Sequence, residues 1–353
     1  MSRFDKIFIV ILSMMLSGCN STHKSSSYIQ FMQRDVEVLS GEVAFPQVDL
    51  WSPRSLAVCG DQLLVIDRHD RFHVTAISLT DGSAKRVIGE GNGPLEFIRV
   101  AGLYPKKETI QVTDDRKRKV GAYKYDSKEL FGGTALLETN LLALNEAAYA
   151  FVPFRDKYIA TGCFGSEQFA LVNSDAGIEL KFGRYPGDNK SVGTHEFVLK
   201  NQTIIRTDPC DSYFVAAGVY NDWLAFYKYD EGRFELLKEY FTSDSNLKTT
   251  GVSDDKVARY STQETSETIR HYRALYATEK YMYALYWGIP SDAMRNADNK
   301  CYVYRFNYNG SLDCGYVIDN LLKSFAVTSG DEVMYAVAVS DDEEVLMKYK
   351  LDK

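Results

Sequence analysis

Six stretches of the chain repeat one pattern, an acidic residue followed by an apolar run: "DQLLVID" from Asp61, "ETIQVTD" from Glu108, "DKYIATG" from Asp156, "DSYFVAAG" from Asp211, "EKYMYALY" from Glu279 and "DEVMYAVA" from Asp331. Their starts lie 47, 48, 55, 68 and 52 residues apart. A period near 50 residues that runs through the whole chain is the mark of a radial or solenoid array, in which each unit buries its apolar faces only against its neighbours.

A second element follows each run, for example "HVTAISLTDG", "QFALVNSDAG" and "CYVYRFNYNG", and usually ends in Asp, Asn or Gly before another short apolar run such as "AKRVIG". An upstream strand precedes most of them, as in "SLAVCG", "YAFVPF", "HYRALYAT" and "KSFAVTS". Tyr and Phe supply 24 and 19 residues against 8 prolines, a bias toward pleated, half-buried surfaces. Four strands per unit make a propeller blade, so the spacing predicts an all-β, six-bladed β-propeller spanning residues 31–353 as one domain. The last unit stops at Lys353 after its third strand. The strand-like stretch from Arg34 to Phe45, which has no unit of its own, is expected to join the final blade and close the ring.

The formal charge of −7 excludes a nucleic-acid partner, which requires a basic face to neutralise phosphates. Arg3 and Lys6, the apolar run Ile7–Leu16 and then Ser17-Gly18-Cys19 read as a signal peptide over residues 1–18. A run of ten residues falls short of the roughly 20 that a membrane-spanning helix needs. Leu16-Ser17-Gly18-Cys19 resembles the bacterial lipobox, which implies lipidation of Cys19 and a flexible tether over 19–30, with the membrane reached through acyl chains. Asn20 is not the aspartate of an inner-membrane retention signal, so the expected location is the cell envelope, at the outer membrane. Cys59, Cys163, Cys210, Cys301 and Cys314 remain, an odd number, and are expected to be buried thiols. A turn at Asn309-Gly310 would set Arg305, not Cys301, opposite Cys314.

In such blades the hairpin between the first and second strands points to one face. The loop between the second and third strands, and the connection to the next blade, point to the other. The first class is uniformly tight ("CGDQ", "FRDK", "PCDS", "SGDE"), which makes the repeated acid a turn residue. The second class is long and varied, and irregular segments at one end of a rigid scaffold are where binding usually resides. The candidate ligand-binding residues are therefore Arg68, His69 and Asp70 in "DRHDRF", Glu90, Asn92 and Glu96 in "IGEGNGPLEF", and Asp114 and Arg116 in "DDRKRK". They continue with Tyr185, His195 and Glu196 in the 183–197 segment and Trp287 before the 287–300 segment. A polar insertion near 253–271 has helical character. The arginines could hold a carboxylate, uronate or phosphate, and Tyr286 and Trp287 could stack on sugars, although alternating aromatics chiefly pack blades.

The chemistry of recognised catalytic motifs does not emerge. His69 and His73 are four apart but sit on successive strands, and "HEFVL" at His195 lacks the second histidine of a zinc motif. No Gly-x-Ser-x-Gly elbow occurs. In "IGEGNGPLEF" the third glycine comes too early for a dinucleotide fingerprint, Pro94 follows it, and Glu90 and Glu96 would repel phosphate. A calcium-dependent lactonase would need oxygen ligands at the channel, for which Glu96, Asp114, Asn221 and Glu264 are candidates.

Through its lipobox, the "IGEGNGPLEF" connection and "LYATEKYMYALYWG" from Leu275 to Gly288, the chain resembles the TolB-like six-bladed propeller lipoproteins of Bacteroidetes. The resemblance implies the fold and an envelope location and transfers no catalytic residue. The leading expectation is a monomeric, cofactor-free binding or scaffold lipoprotein that engages a protein, peptide or glycan through its loop-rich face. The alternative is a propeller enzyme, a metal-assisted hydrolase, lactonase or lyase acting on sugars, with Ca2+ as its cofactor.

Overall fold

The computed structural model describes residues 31, 36–93, 96–106, 109–124, 137–140, 147–187, 195–254, 257–295, 299–340 and 343–351. The expected signal peptide, Cys19 and the tether lie outside the described residues.

Six blades of four antiparallel strands form the molecule. Blade one runs through Pro53–Cys59, Gln62–His69, Phe72–Ser78 and Ala84–Gly89. Blade two has Val100–Pro105, Thr109–Asp114, Lys119–Lys124 and Leu137–Asn140, and blade three Ala147–Phe154, Lys157–Phe164, Glu167–Val172 and Ile178–Arg184. Blade four has Thr203–Thr207, Tyr213–Gly218, Asp222–Asp230 and Arg233–Ser243, and blade five Ile269–Ala277, Tyr281–Pro290, Cys301–Asn307 and Leu312–Ile318. Blade six contributes Leu321–Val327, Val333–Ser340 and Glu343–Lys350. Each repeated acid immediately precedes or lies within two residues of a second strand, and Asp211 and Asp331 adopt the left-handed turn conformation (φ 54° and 59°).

The second strands are apolar without interruption because both faces of each sheet are covered. Side chains alternate across a strand, and in blade one Leu63 and Val65 pack with blade six while Leu64 and Ile66 pack with blade two. In blade five, Tyr283, Leu285 and Trp287 face blade six, and Met282, Ala284 and Tyr286 face blade four. The core is thus a set of wedges between blades rather than one central mass. Phe31 fills the wedge between blades four and five, with its ring 4.7 Å from that of Tyr304 and 5.1 Å from that of Tyr240.

The expected closing stretch divides in two. Glu42–Val43 pairs antiparallel with the third strand of blade six and completes that blade. Val36–Leu39 lies parallel to Gly315–Ile318 as a fifth strand on blade five. Two other expectations are corrected. The polar insertion is not helical: Lys248–Asp254 and Val257–Gln263 form a two-stranded antiparallel hairpin, and Ile269–His271 already belong to the inner strand of blade five. "DRHDRF" is not a loop, because its strands run to His69 and from Phe72, leaving a two-residue turn with Asp70 and Arg71 at φ 48° and 67°. The Asn309-Gly310 hairpin pairs Arg305 with Cys314 and Cys301 with Ile318, in the predicted register. Among the described residues no cysteine forms a disulfide; Cys59 and Cys301 are buried as expected, whereas Cys210 is exposed.

Five of the six innermost strands share an irregularity, while that of blade four pairs without a slip. The ladder to the second strand slips between Pro53 and Ser55, Val100 and Gly102, Ala148 and Ala150, Tyr272 and Ala274, and Leu322 and Ser324. The extra residues are Arg54, Ala101, Tyr149, Arg273 and Lys323, of which the first four are exposed and the last half-buried. Neighbouring blades cover the two faces of an inner strand, so a bulge is the means by which it turns a side chain toward the axis.

Candidate functional site

The long connections gather at the end of the ring where the inner strands begin. Most residues selected there from sequence are engaged by the protein itself. Arg68 holds Glu90 by two bonds, 3.0 Å from Nε and 2.5 Å from Nη2. His69 is buried, with Nε2 3.1 Å from Asp49 Oδ2, and its ring lies 3.7 Å from that of the exposed Trp51. Asp70 Oδ2 sits 2.9 Å from His69 Nδ1 and accepts from Arg86 at 3.2 Å.

Asp114 is not a free ligand. It is fully buried, and its carboxylate accepts from the backbone amides of Ile98, Arg99, Arg116 and Lys117. Asp67 caps Trp51 and Ser52 in the same way one blade earlier. The turn of blade two and the entry to its inner strand thus converge on one acid. Tyr185 is buried and donates to the Gly162 carbonyl at 2.7 Å, and Trp287 is buried and donates to the Leu322 carbonyl at 2.7 Å, so both are packing residues and not exposed stacking surfaces. His195 and Glu196 open a short helix, α1 (His195–Lys200), and their side chains lie outside what the structure describes. Asn92 and Arg116 are exposed.

Two of the glycines of "IGEGNG", Gly91 and Gly93, lie against Glu96. Its carboxylate folds back to accept from Gly93 N at 2.8 Å, and a Cβ on Gly91 would fall on that carboxylate. Lys117 Nζ closes the loop by donating to the Gly91 carbonyl at 3.0 Å. Each of the four calcium candidates is engaged by the protein. Glu264 binds Arg270 bidentately and accepts from Tyr220 and Ser291, Asn221 donates to Asn201, and among the described residues no group of three metal-ligating side chains occurs.

The opposite end of the axis, where only tight hairpins were predicted, carries an axial cavity. It measures about 270 Å3 and is walled by the ends of the inner strands of blades one, two, four, five and six: Val58 to Gly60, Tyr104 to Lys106, Arg206 and Thr207, Tyr276 to Glu279, and Val327 and Ser329. Arg206 reaches past blade three to donate to the Leu103 carbonyl of blade two at 3.3 Å. Its guanidinium lies over two rings, 4.8 Å from Tyr104 and 5.3 Å from Tyr276. Burial pushes both phenols above their ordinary range, so they present neutral rings. Tyr276 is held by Val58 N, which donates to its hydroxyl at 3.0 Å across the boundary between blades five and one. A Cβ on Gly102 would approach the Tyr104 ring and hydroxyl to 2.6 Å, so the missing side chain is what lets Tyr104 lie there.

Lys106 is paired with Asp211 and donates to Thr207 Oγ1 and the Asp208 carbonyl, both at 3.5 Å. Asp208 points away from the cavity, toward the amides of Cys210, Ser212 and Tyr213; burial raises its pKa, against the lowering by those three bonds. Desolvation and the nearby Asp61 push the Cys59 thiol up to about 12, which removes it as a nucleophile near neutrality. At the far end of the channel, Arg273 lies over Trp287 at 5.5 Å, and desolvation together with neighbouring Arg270 lowers its pKa from the usual arginine value.

Sequence reading missed this mouth because short hairpins carry no length signal. The available signal was a charged residue, Arg206, inside the otherwise apolar inner strand "TIIRT".

The TolB-like 6-blade propeller-like family model matches residues 30–330. Among solved structures, the fold is similar to a member of the DUF4221 family from Bacteroides vulgatus, at TM-score 0.56 and 11% identity over 90% of this chain and 97% of that one. It is also similar to a protein from Bacteroides fragilis described as exported, at TM-score 0.52 and 13% identity over 89% and 95% of the two chains. No curated protein matches the chain. A family match that spans most of the sequence, on a ring of six four-stranded blades, means that the chain belongs to the TolB-like six-blade propeller family.

Proposed function

We infer that the chain is an exported, lipid-anchored binding module that acts without catalysis and seats its ligand in the axial cavity at the hairpin end of the ring. The observation that carries this reading is the 270 Å3 cavity, to which five blades contribute inner-strand ends. Concave sites shared by several elements and furnished with a few polar groups are where ligands bind. Of the groups on its wall, Lys106 is paired, and Cys59 and the two tyrosines are protonated near neutral pH, which leaves Arg206 and Glu279 to face a ligand. The export and anchoring reading rests on Cys19 and its lipobox-like context.

Two measurements test the proposal. A thermal-shift screen of glycans, peptides and divalent metals should find a stabilising ligand whose effect is lost in Ser329→Trp, which fills the rim of the cavity from an exposed turn. Stabilisation by calcium accompanied by lactone turnover would overturn the reading. Radiolabelled palmitate should be incorporated by the native chain and not by Cys19→Ala, with the variant released from membranes.

A further inference from the structure

Unlike several other arginines, Arg206 has no carboxylate partner among the described residues. Arg68 is held by Glu90, Arg99 by Asp115, Arg270 by Glu264 and Arg305 by Asp313. Arg206 is half-buried at the axis, and among the described residues its bonding is confined to the Leu103 carbonyl and the two tyrosine rings. A guanidinium carries five N–H donors in a planar fork, and one is used. Most of the fork therefore borders the cavity without an anionic partner, in a chain whose acids outnumber its bases by 48 to 41.

We propose that the axial cavity is a carboxylate site that takes a small ring-bearing monoacid, with the carboxylate docked on the Arg206 fork. Stacking on Tyr104 and Tyr276 fixes the plane of the guanidinium, which is the geometry that bidentate recognition of a carboxylate requires. The same neutral rings supply apolar wall for a ligand ring. At about 270 Å3 the cavity lies just below the roughly 300 Å3 at which pockets for drug-sized ligands begin, which limits the occupant to about one ring. Glu279, exposed on the cavity wall, is the carboxylate that a ligand would meet and disfavours a second negative charge. This selects a monocarboxylate over a phosphate dianion. The proposal rests on the axial-cavity reading above and adds the ligand class.

The test is titration calorimetry on the full-length chain in detergent, with benzoate and glucuronate as probes, benzamide and glucose as their uncharged counterparts, and inorganic phosphate. At least one acid should bind at least about tenfold more tightly than its uncharged counterpart, which corresponds to about 1.4 kcal/mol. The two acids separate a flat aromatic ligand from a sugar acid. Arg206→Lys, which keeps the charge and loses the fork, should weaken that binding by a similar factor, while Arg273→Gln at the other mouth leaves it unchanged. The comparison of acid with uncharged counterpart in the native chain needs no variant and stands even if Arg206→Lys misfolds. Equal binding of acid and counterpart, abolished by Ser329→Trp, would overturn the carboxylate assignment and leave the cavity as the site. Acid binding indifferent to Ser329→Trp would overturn both. Tighter binding of phosphate than of either acid, or no binding of any probe at about 10 mM, would overturn the ligand class.

Discussion

Single residues here divide into those that hold the ring and those that border its axis, and the two kinds predict different phenotypes. Asp114 holds: replacing it with Ala leaves four backbone amides without their acceptor, and hydrogen bonds to a charged group contribute about 1.5–3 kcal/mol. Asp114→Ala should therefore lower stability in urea melts by about 3 kcal/mol while sparing ligand binding at the hairpin mouth. Gly102→Ala should cost about 1–3 kcal/mol by forcing Tyr104 aside, and should weaken binding in the axial cavity as well.

His271 supplies a pH dependence. It is buried beside Asp222, and desolvation outweighs that charge and lowers its pKa below the ordinary value of about 6.5. The fold thus favours the neutral ring. Its stabilising contribution is present above the unfolded pKa and is lost as pH falls below it, because the unfolded chain takes up the proton first. Melting temperature should drop between pH 7 and pH 5, and His271→Gln should flatten that slope.

At the scale of elements, the inner strands carry more information than their length suggests. Bulges at equivalent positions turn Arg54, Arg273 and Lys323 off the blade faces on three consecutive blades, five, six and one. The residues at the corresponding slips of blades two and three are Ala101 and Tyr149. The residues at these slips are thus basic on blades five, six and one and uncharged on blades two and three, and Lys323 is paired with Glu344. The closing strands make a second element-level prediction. A chain beginning at Gln47 loses Glu42–Val43 and exposes the edge of Glu343–Lys350. Open edges pair with one another, so the truncated chain should elute as dimers or aggregates in size-exclusion chromatography where the native chain elutes as one species.

For the whole molecule, what was legible in the sequence was what repeats. A strand buried on both faces leaves an uninterrupted apolar run whose register the chain cannot hide, and all six runs became second strands. The split of Arg34–Phe45 between two blades was not legible, because a four-residue and a two-residue strand carry too little pattern to show which edge each covers. The insertion before blade five was misjudged as helical for a related reason. Its two halves pair with each other as an antiparallel hairpin, and that pairing is not announced by either half alone. The candidate site was the least legible of all. Loop length pointed to one end of the ring, yet most of the acids and aromatics selected there proved to be capping, ion-paired or packed, whereas the axial cavity is built from short strand ends contributed by blades far apart in sequence.

The N-terminal path also determines how the molecule responds to a mechanical load. A pull on the segment before Phe31 first meets an aromatic socket of Tyr240, Tyr304 and Phe306. It then meets the ladder of Val36–Leu39 beside Gly315–Ile318, whose four pairings share tension applied along the strand and yield together. Only after both give way would force reach the two-residue clasp that keeps the ring shut. A propeller tethered by this end would be strain-relieved at its seam, as a cable is by the collar ahead of its plug.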